Sequence, residues 1–475
     1  MDIKQLNEII TAGKIDKTKE IFELSYDLDI INKAIKQYNP ELHDVRDPTV
    51  RRDKKLESGR SAPVTRISLP IQKKIVLTAV TMLGSPTLEC TPKEGIETQL
   101  FDAVKQVGED NKLDYQFKKI AKRVMSELHC AELWYLKGSE EGKKLKMRLL
   151  HYTYDPVSRT GGDSLYPVFD VYGDMIAFGR GYKIKANDKT TDYFEIYTAE
   201  KFYYFKREEL GGWVSDDKEV DGVIINGAAG IKNPFGKIPV IFAQQEVPEW
   251  YDVQQAIDRL EKKISNHADT NDRFDSPILL TKGEFKGFAL EKDDTGKLLE
   301  AVDQADASYL TWDNAPASMK IEIDNLLTFI HEFTHTPRLT FETLATKGID
   351  LSGVALKMLF LDAHMKAADK EDIFGEYIQR RVNFLKSAIC TLQSTLKGAI
   401  NLPIKPKFTY FLPKNIPETV NIITTAVQGK VLSKKTGARL IAEALDINYN
   451  DEQLLLDEEA EAEAKSFGMN QLLDS

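Results

Sequence analysis

The sequence predicts an α+β protein in which helical and β-rich segments follow one another in series. Three observations carry this expectation. Apolar residues recur at three- and four-residue steps up to about residue 135, and aromatic and β-branched residues alternate with polar ones between about 132 and 243. After that, two long helical seams flank a short excursion rich in Gly and Asp. The 475 residues exceed a single core, since cores stop growing at roughly 250 to 300 residues, so two to four subdomains are expected.

The composition is that of a folded chain, with 42% hydrophobic and 29% charged residues. Cys90, Cys130 and Cys390 are far apart and odd in number, which encodes neither a disulfide framework nor a zinc ribbon and implies synthesis in a reducing compartment. The first twenty residues lack a basic segment followed by an apolar one, and no apolar run approaches the ~18 residues of a membrane span. The expectation is a protein neither secreted nor inserted in a membrane. A net charge of −10 disfavours tight, static binding to nucleic acid. It is compatible with a surface that DNA slides past.

Taken in order, Ile71, Ile75, Val76, Ala79 and Met82 or Leu83 mark an amphipathic helix that stops at Gly84-Ser85-Pro86. A second helix starts near Lys112, with Phe117, Ile120, Val124 and Leu128 on one stripe and Lys118, Lys119, Lys122 and Arg123 on a solvated face. Hairpins follow, with strands such as Phe194–Tyr197 and Lys201–Phe205 separated by Gly161-Gly162, Asn187-Asp188 and Gly211-Gly212. Asn233 to Phe242 reads as a turn feeding a short apolar strand. From Pro248 to Arg273, Val253, Ile257, Leu260 and Ile264 are spaced four, three and four. A helix of about 24 residues there would be about 36 Å long. Strand-like Ile278-Leu279-Leu280 and Tyr309-Leu310-Thr311-Trp312 bound the excursion, and Met319, Ile323, Leu326, Ile330 and Phe333 form the second seam. A loop containing Pro337 and Gly348 leads to Ser352, an N-cap for a long helix running to about Leu396. Its buried line is Phe374, Ile378, Val382, Leu385, Ile389, Leu392 and Leu396. The tail from Pro417 reads as three short helices, the last of them acidic, with Glu459, Glu461 and Glu463 on a solvated face.

One string of letters carries enzymatic chemistry. His331-Glu332-Phe333-Thr334-His335 fits the H-E-x-x-H pattern, which on a helix sets two imidazoles on one face to hold zinc, with the carboxylate as general base. Pro337 disfavours continued helix at that point, the further Gly and His that would complete the longer motif are absent, and Phe333 and Ile330 belong to the apolar seam. A metal site of His331, His335 and Glu342, and with it a zinc peptidase, is the alternative these residues leave open. There is no G-x-x-x-x-G-K-[ST], no G-x-S-x-G and no strand-borne G-x-G-x-x-G. Asp269 and Asp272 read as surface neighbours on one helix. No catalytic residue and no cofactor are expected.

Four segments in order carry a resemblance. Arg66-Ile67-Ser68-Leu69-Pro70 through Gly84-Ser85-Pro86, Asn233 to Phe242 with the helix from Asp252 to Ser265, Leu351-Ser352-Gly353-Val354-Ala355-Leu356-Lys357, and Gly429 to Thr436 together resemble the portal proteins of tailed phages, particularly the siphophage type. The likeness extends over about residues 65 to 465. It implies a wing over 1–249, helical at first and β-rich from about 132. Stem helices then cover 250–273 and 316–333 on either side of a small α/β clip at 274–315. A tunnel loop at 334–351, a long wing helix with a return strand at 352–412 and a helical crown at 413–475 complete the architecture.

The resemblance further implies a structural, non-enzymatic ring of identical subunits, a dodecamer, in the virion at the portal vertex, made in the host cytoplasm. Its partners would be the large terminase subunit, a head-completion or adaptor protein, the major capsid and scaffolding proteins, and double-stranded DNA passing without sequence specificity. No membrane is implied. Lys347, Arg338 and Thr346 are the expected DNA-facing residues of the tunnel loop. Ile278, Leu279, Leu280, Tyr309, Leu310 and Trp312 are expected at clip contacts between subunits, and Val253, Ile257, Leu260, Ile264, Ile323, Leu326 and Ile330 in stem packing. An oligomeric adaptor without a DNA channel is the third reading.

Overall fold

The computed structural model describes residues 28–55, 61–139, 142–186, 189–208, 211–220, 223–274, 278–282, 285–289, 298–301, 306–310, 316–338, 360–410 and 416–459, with residues 8, 10, 16, 59 and 358 singly. The chain divides into two compact units. One comprises Met1–Thr336 with Ala368–Thr409, and the other Pro337–Ala367 with Tyr410–Ser475.

In the first unit, α1 (Leu28–Tyr38), α2 (Ile71–Leu83), α3 (Ile96–Asp110) and α4 (Leu113–Glu127) precede the β-rich part. Helix α2 buries Ile75, Val76, Ala79, Val80, Met82 and Leu83, and it ends at Gly84 with φ 70°. A Cβ at Gly84 would stand 2.4 Å from the Thr409 carbonyl oxygen, so both the left-handed turn and the close approach require glycine. Helix α4 buries Phe117, Ile120 and Val124 and stops at Leu128, whose φ of 65° turns the chain directly into a strand. The β-rich part accordingly begins at His129, three residues before the expected position.

Strands β1 (His129–Ser139) and β2 (Gly142–Leu150) form a hairpin, and β3 (Ser164–Phe169), β4 (Met175–Ala186), β5 (Lys189–Thr198) and β6 (Lys201–Glu208) form an antiparallel meander. Strand β7 (Val240–Gln244) pairs with β1, with Val240 opposite Leu133, and completes a three-stranded sheet in the order β7-β1-β2. Alternation along the meander divides its side chains between two cores. Leu165, Phe178 and Tyr197 pack with Ala131, Leu133, Leu150, Val240 and Phe242 of the three-stranded sheet. Tyr166, Ala177, Phe194, Ile196 and Phe205 form a separate cluster. Strand β2 is an edge, and the Asn111 side chain covers part of it. The amide Nδ2 donates to the Leu145 carbonyl at 3.1 Å, and Oδ1 accepts from the Met147 N–H at 2.9 Å.

Among the described residues, two long helices and four short strands follow. Helix α5 (Gln254–Phe274) starts after a 3₁₀ turn at Tyr251–Val253, so Val253 lies in the turn and not in the helix. In the excursion, β8 (Ile278–Lys282) pairs antiparallel with β11 (Asp306–Leu310), and β9 (Phe285–Ala289) pairs with β10 (Leu298–Ala301). Helix α6 spans Pro316–Phe333.

Helix α7 (Leu361–Leu392) was expected to continue to about Leu396, but Gln393, with φ −119° and ψ 88°, ends it, and a 3₁₀ turn covers Ser394–Ala399. Within the first unit Arg381 of α7 makes a two-pronged contact with Glu132 of β1, through Nε at 3.0 Å and through Nη2. Glu132 Oε2 also accepts from Trp134 Nε1 at 3.2 Å, so a buried ion pair fastens the helix to the sheet. Lys405–Lys407 returns to pair with Thr87–Glu89. One apolar core joins α2, α3, α4 and the sheet to Val253, Ile257 and Leu260 at the start of α5, Ile330 of α6, and Phe374, Ile378, Val382 and Leu385 of α7.

In the second unit, α8 (Ile416–Gln428) packs on α9 (Lys434–Leu445), and residues 449–459 are helical. Ser433 caps α9 by accepting from the Thr436 N–H at 3.1 Å. Among the described residues no helix is long and apolar enough to cross a membrane.

Candidate functional site

Helices α5 and α6 run antiparallel, and Glu322 of α6 pairs with Arg259 at 2.9 Å and Lys263 at 2.7 Å. Those bonds hold the Glu322 carboxyl below its ordinary pKa. Val253, Ile257, Leu260 and Ile330 are buried, and Ile264, Ile323 and Leu326 are partly buried against the same core.

On another side of α5 lies a segment of the N-terminal region, residues 42–55 and 61–69, here termed the strap. Three helix residues at four-residue spacing receive it. Glu261 Oε1 accepts from the Leu69 N–H at 2.7 Å and faces His43 Nδ1 at 2.8 Å. Ser265 Oγ accepts from the Ile67 N–H at 2.9 Å, and Asp269 accepts from the Thr65 N–H at 2.6 Å and from Arg51 Nη2 at 2.8 Å. The strap descends α5 from His43 to Arg51 and returns from Thr65 to Leu69. Trp250 closes its upper end, donating through Nε1 to Gln37 at 3.0 Å and stacking on Tyr38.

The electrostatics of the ladder fit its geometry. Burial alone would lower the His43 pKa, but the hydrogen bond and charge of Glu261 outweigh it and raise the group. His43 Nε2 meets the Gln37 carbonyl at 2.7 Å, so both ring nitrogens face acceptors and the imidazolium is the form that satisfies both. Burial likewise opposes ionisation of Asp269, yet the Thr65 bonds and the Arg51 charge bring its pKa down. Asp258 moves the other way, raised by burial and by the neighbouring Asp44 and Glu261 carboxylates.

The H-E-x-x-H string stands at the end of α6. The His335 N–H donates to the Glu332 carbonyl at 3.1 Å and the Thr336 N–H to the His331 carbonyl at 2.9 Å, with His335 at φ 51°. This is a Schellman closure with His335 in the left-handed position. The helix therefore ends before the second imidazole, and His331 Nδ1 faces the Thr336 carbonyl at 3.0 Å. A regular i, i+4 pair of imidazoles on one helix face is not formed. Glu342, the other residue of that reading, lies outside the described residues, as do Lys347, Thr346 and Trp312. Arg338 is exposed. The backbone sets Ile278, Leu279 and Leu280 opposite Leu310, Tyr309 and Ser308 within one chain.

Sequence reasoning missed Glu261, Ser265 and Asp269. Their signal was present as a polar row at four-residue steps beside the apolar seam, but its partner is about 200 residues away in sequence, at separations of 192, 198 and 204 residues.

A family model described as "Phage portal protein, SPP1 Gp6-like" matches residues 18–466, nearly the whole chain. The chain belongs to this family. It forms a portal ring at one vertex of the capsid, the conduit for genome packaging and ejection, and is a structural component of the virion. No curated protein matches it. Among solved structures it is similar to a chain of the neck of a native gene transfer agent particle computed with C12 symmetry, at 9% identity and TM-score 0.37, covering 78% of this chain and 89% of that one. It is also similar to a chain of the virion of a native gene transfer agent particle, at 10% identity and TM-score 0.35, covering 78% and 88%.

Proposed function

We propose that twelve copies form the portal ring, with α5 and α6 as its stem and residues 274–315 as the clip. The observation that carries this reading is the antiparallel helix pair with a small β module, the β8–β11 and β9–β10 strand pairs, lying between the two helices in sequence. The clip is the docking surface for the large terminase subunit during packaging and for a head-completion protein afterwards. Ile278, Leu279, Leu280, Tyr309, Leu310 and Trp312 contribute to contacts between neighbouring clips. Residues 334–351 form the tunnel loop, where Lys347, Arg338 and Thr346 meet the phosphates of passing DNA without reading sequence.

A closed ring of identical subunits needs a heterologous interface whose rotation closes. Electron microscopy of the purified full-length chain tests the reading, with symmetry counted from top views. Twelve-fold rings with an axial hole are expected. Small oligomers without a hole would instead support a structural adaptor. Zinc at one ion per chain, together with peptidase activity lost in Glu332→Gln, would overturn the structural reading.

A further inference from the structure

Helix α4 buries Phe117, Ile120 and Val124, and its opposite face carries Tyr115, Lys118, Lys119 and Lys122, all exposed. At 3.6 residues per turn and 1.5 Å per residue, these four occupy about 100° of the helix and about 10 Å of its length. Among the described residues none of the three lysines makes an ion pair, whereas Arg123, the next basic residue, is taken by Glu127. A row of lysines alone is an ordinary solvated face. The cavity at the start of this row sets it apart.

That cavity, of about 520 Å³, lies between α3, the first turn of α4, α7 and the strand Thr87–Glu89. Its size falls within the roughly 300–1,000 Å³ of ligand pockets. Leu88, Val104, Leu113, Phe117, Val382 and Leu385 wall it, and Tyr115, 73% exposed, stands at its mouth. Lys105 and Lys112 balance Glu109 and Asp114 around that mouth. The Arg381 guanidinium is already bound to Glu132, so the inner surface suits an apolar group. A glycine keeps the space open. Gly108 lies one turn after Val104 in α3, and its φ is not in the left-handed region. Glycine inside a helix costs about 0.5–1 kcal/mol against alanine. Gly84 is required by a close approach, but a Cβ at Gly108 would meet only Leu113 Cδ1, at 3.8 Å, an ordinary contact. The local fold therefore does not demand glycine there, and a larger side chain would enter the cavity that Gly108 lines.

We infer that the cavity and the lysine row together receive an acidic segment of another protein, with one bulky apolar side chain in the cavity and carboxylates along Lys118, Lys119 and Lys122. The anchor supplies the binding energy from a desolvated pocket, and the row supplies orientation and encounter rate. Charge and shape separate this partner from nucleic acid. Phosphates would meet the lysines, but an apolar cavity holds no donor for them. The chain's net charge of −10 also opposes a long polyanion.

Panning the full-length protein with a library of short random peptides tests this, followed by fluorescence anisotropy of the recovered peptides against the parent and two variants. The first variant combines Lys118→Glu, Lys119→Glu and Lys122→Glu and reverses the exposed row. The second, Gly108→Leu, fills the cavity and replaces a helix glycine with a better helix former, so both are expected to keep the parent's circular dichroism. Recovered peptides are expected to join a Leu, Phe or Trp to several Asp or Glu. Each variant should weaken them by about tenfold or more, and salt should shrink the difference made by the row but not that made by the cavity. Recovery of no acidic peptides, or of acidic peptides indifferent to either variant, overturns the inference. A short DNA duplex is the comparison ligand. If it binds the parent and Gly108→Leu alike but not the reversed row, and displaces the peptides, the row is a nucleic-acid contact and the inference falls. If the reversed row instead stops the parent's rings from forming, the face belongs to a contact between copies, and the inference falls while the ring reading stands.

Discussion

The strap and the sheet are both held through buried polar groups, but their histidines are arranged in opposite senses. His43 on the strap has an acceptor at each ring nitrogen, and its pKa is raised despite burial. At the sheet, His129 is brought down to about 3 by burial and His151 to about 4 by burial and the Arg123 charge. Asp258 and Asp44 stand around His43 beyond Glu261, whereas Arg123 and Glu127 stand around His151, whose Nδ1 lies 3.8 Å from Glu127. A proton therefore fastens the strap and loosens the sheet. Acid and base test the two regions separately.

The largest expected effect strikes the sheet. Arg381→Met leaves the Glu132 carboxylate buried without its partner, and loss of about 3–5 kcal/mol is expected in urea unfolding. Adding Glu132→Leu should recover most of that loss, because an apolar pair of similar volume escapes the desolvation cost. If the single and double variants unfold alike, the ion pair is not what fastens α7 to β1.

Smaller and confined to the strap is Glu261→Gln. It removes the charged acceptor shared by His43 and Leu69, worth about 1–3 kcal/mol locally. Hydrogen exchange should speed up over residues 43–69 while the amides of β4 and β5 keep their protection. Uniform loss of protection would mean that strap and sheet open together.

Titration then separates the regions by sign. A raised histidine stabilises below its ordinary value of 6.5 and loses that contribution as pH rises through the folded value, so strap protection should fall on the alkaline side. The lowered histidines do the reverse. Their neutral form is favoured by folding, so sheet stability should decline as pH falls from about 6.5 towards about 4. His43→Gln should flatten the first slope and leave the second. The smallest effect is expected from Asp269→Asn at the lower end of the ladder, about 0–1 kcal/mol and weaker in high salt, read from exchange at Thr65.

The helical character of 254–274 and 316–333 was legible because the apolar spacing is local and neither stretch contains an interior glycine or proline. The meander was legible for the same reason, since alternation is written into each strand. What the sequence hid is contact at a distance. Asp269 and Asp272 read as surface neighbours because nothing near them names Thr65, with which both make hydrogen bonds. Glu132 looked like one more polar position in an alternating strand until Arg381, 249 residues later, came beside it. The H-E-x-x-H letters misled in the opposite way. Local spacing suggested a shared helix face, whereas backbone closure at His335 decided the geometry.

Asn111 has a consequence for assembly. Its side chain offers the Leu145 carbonyl and the Met147 N–H the same donor and acceptor that an added strand would present. In a ring, identical edges recur at fixed spacing and high local concentration, the conditions under which bare edges zip into aggregates. One amide acts as a stopper at that edge, so subunits can crowd together while β2 remains closed to another strand at this point.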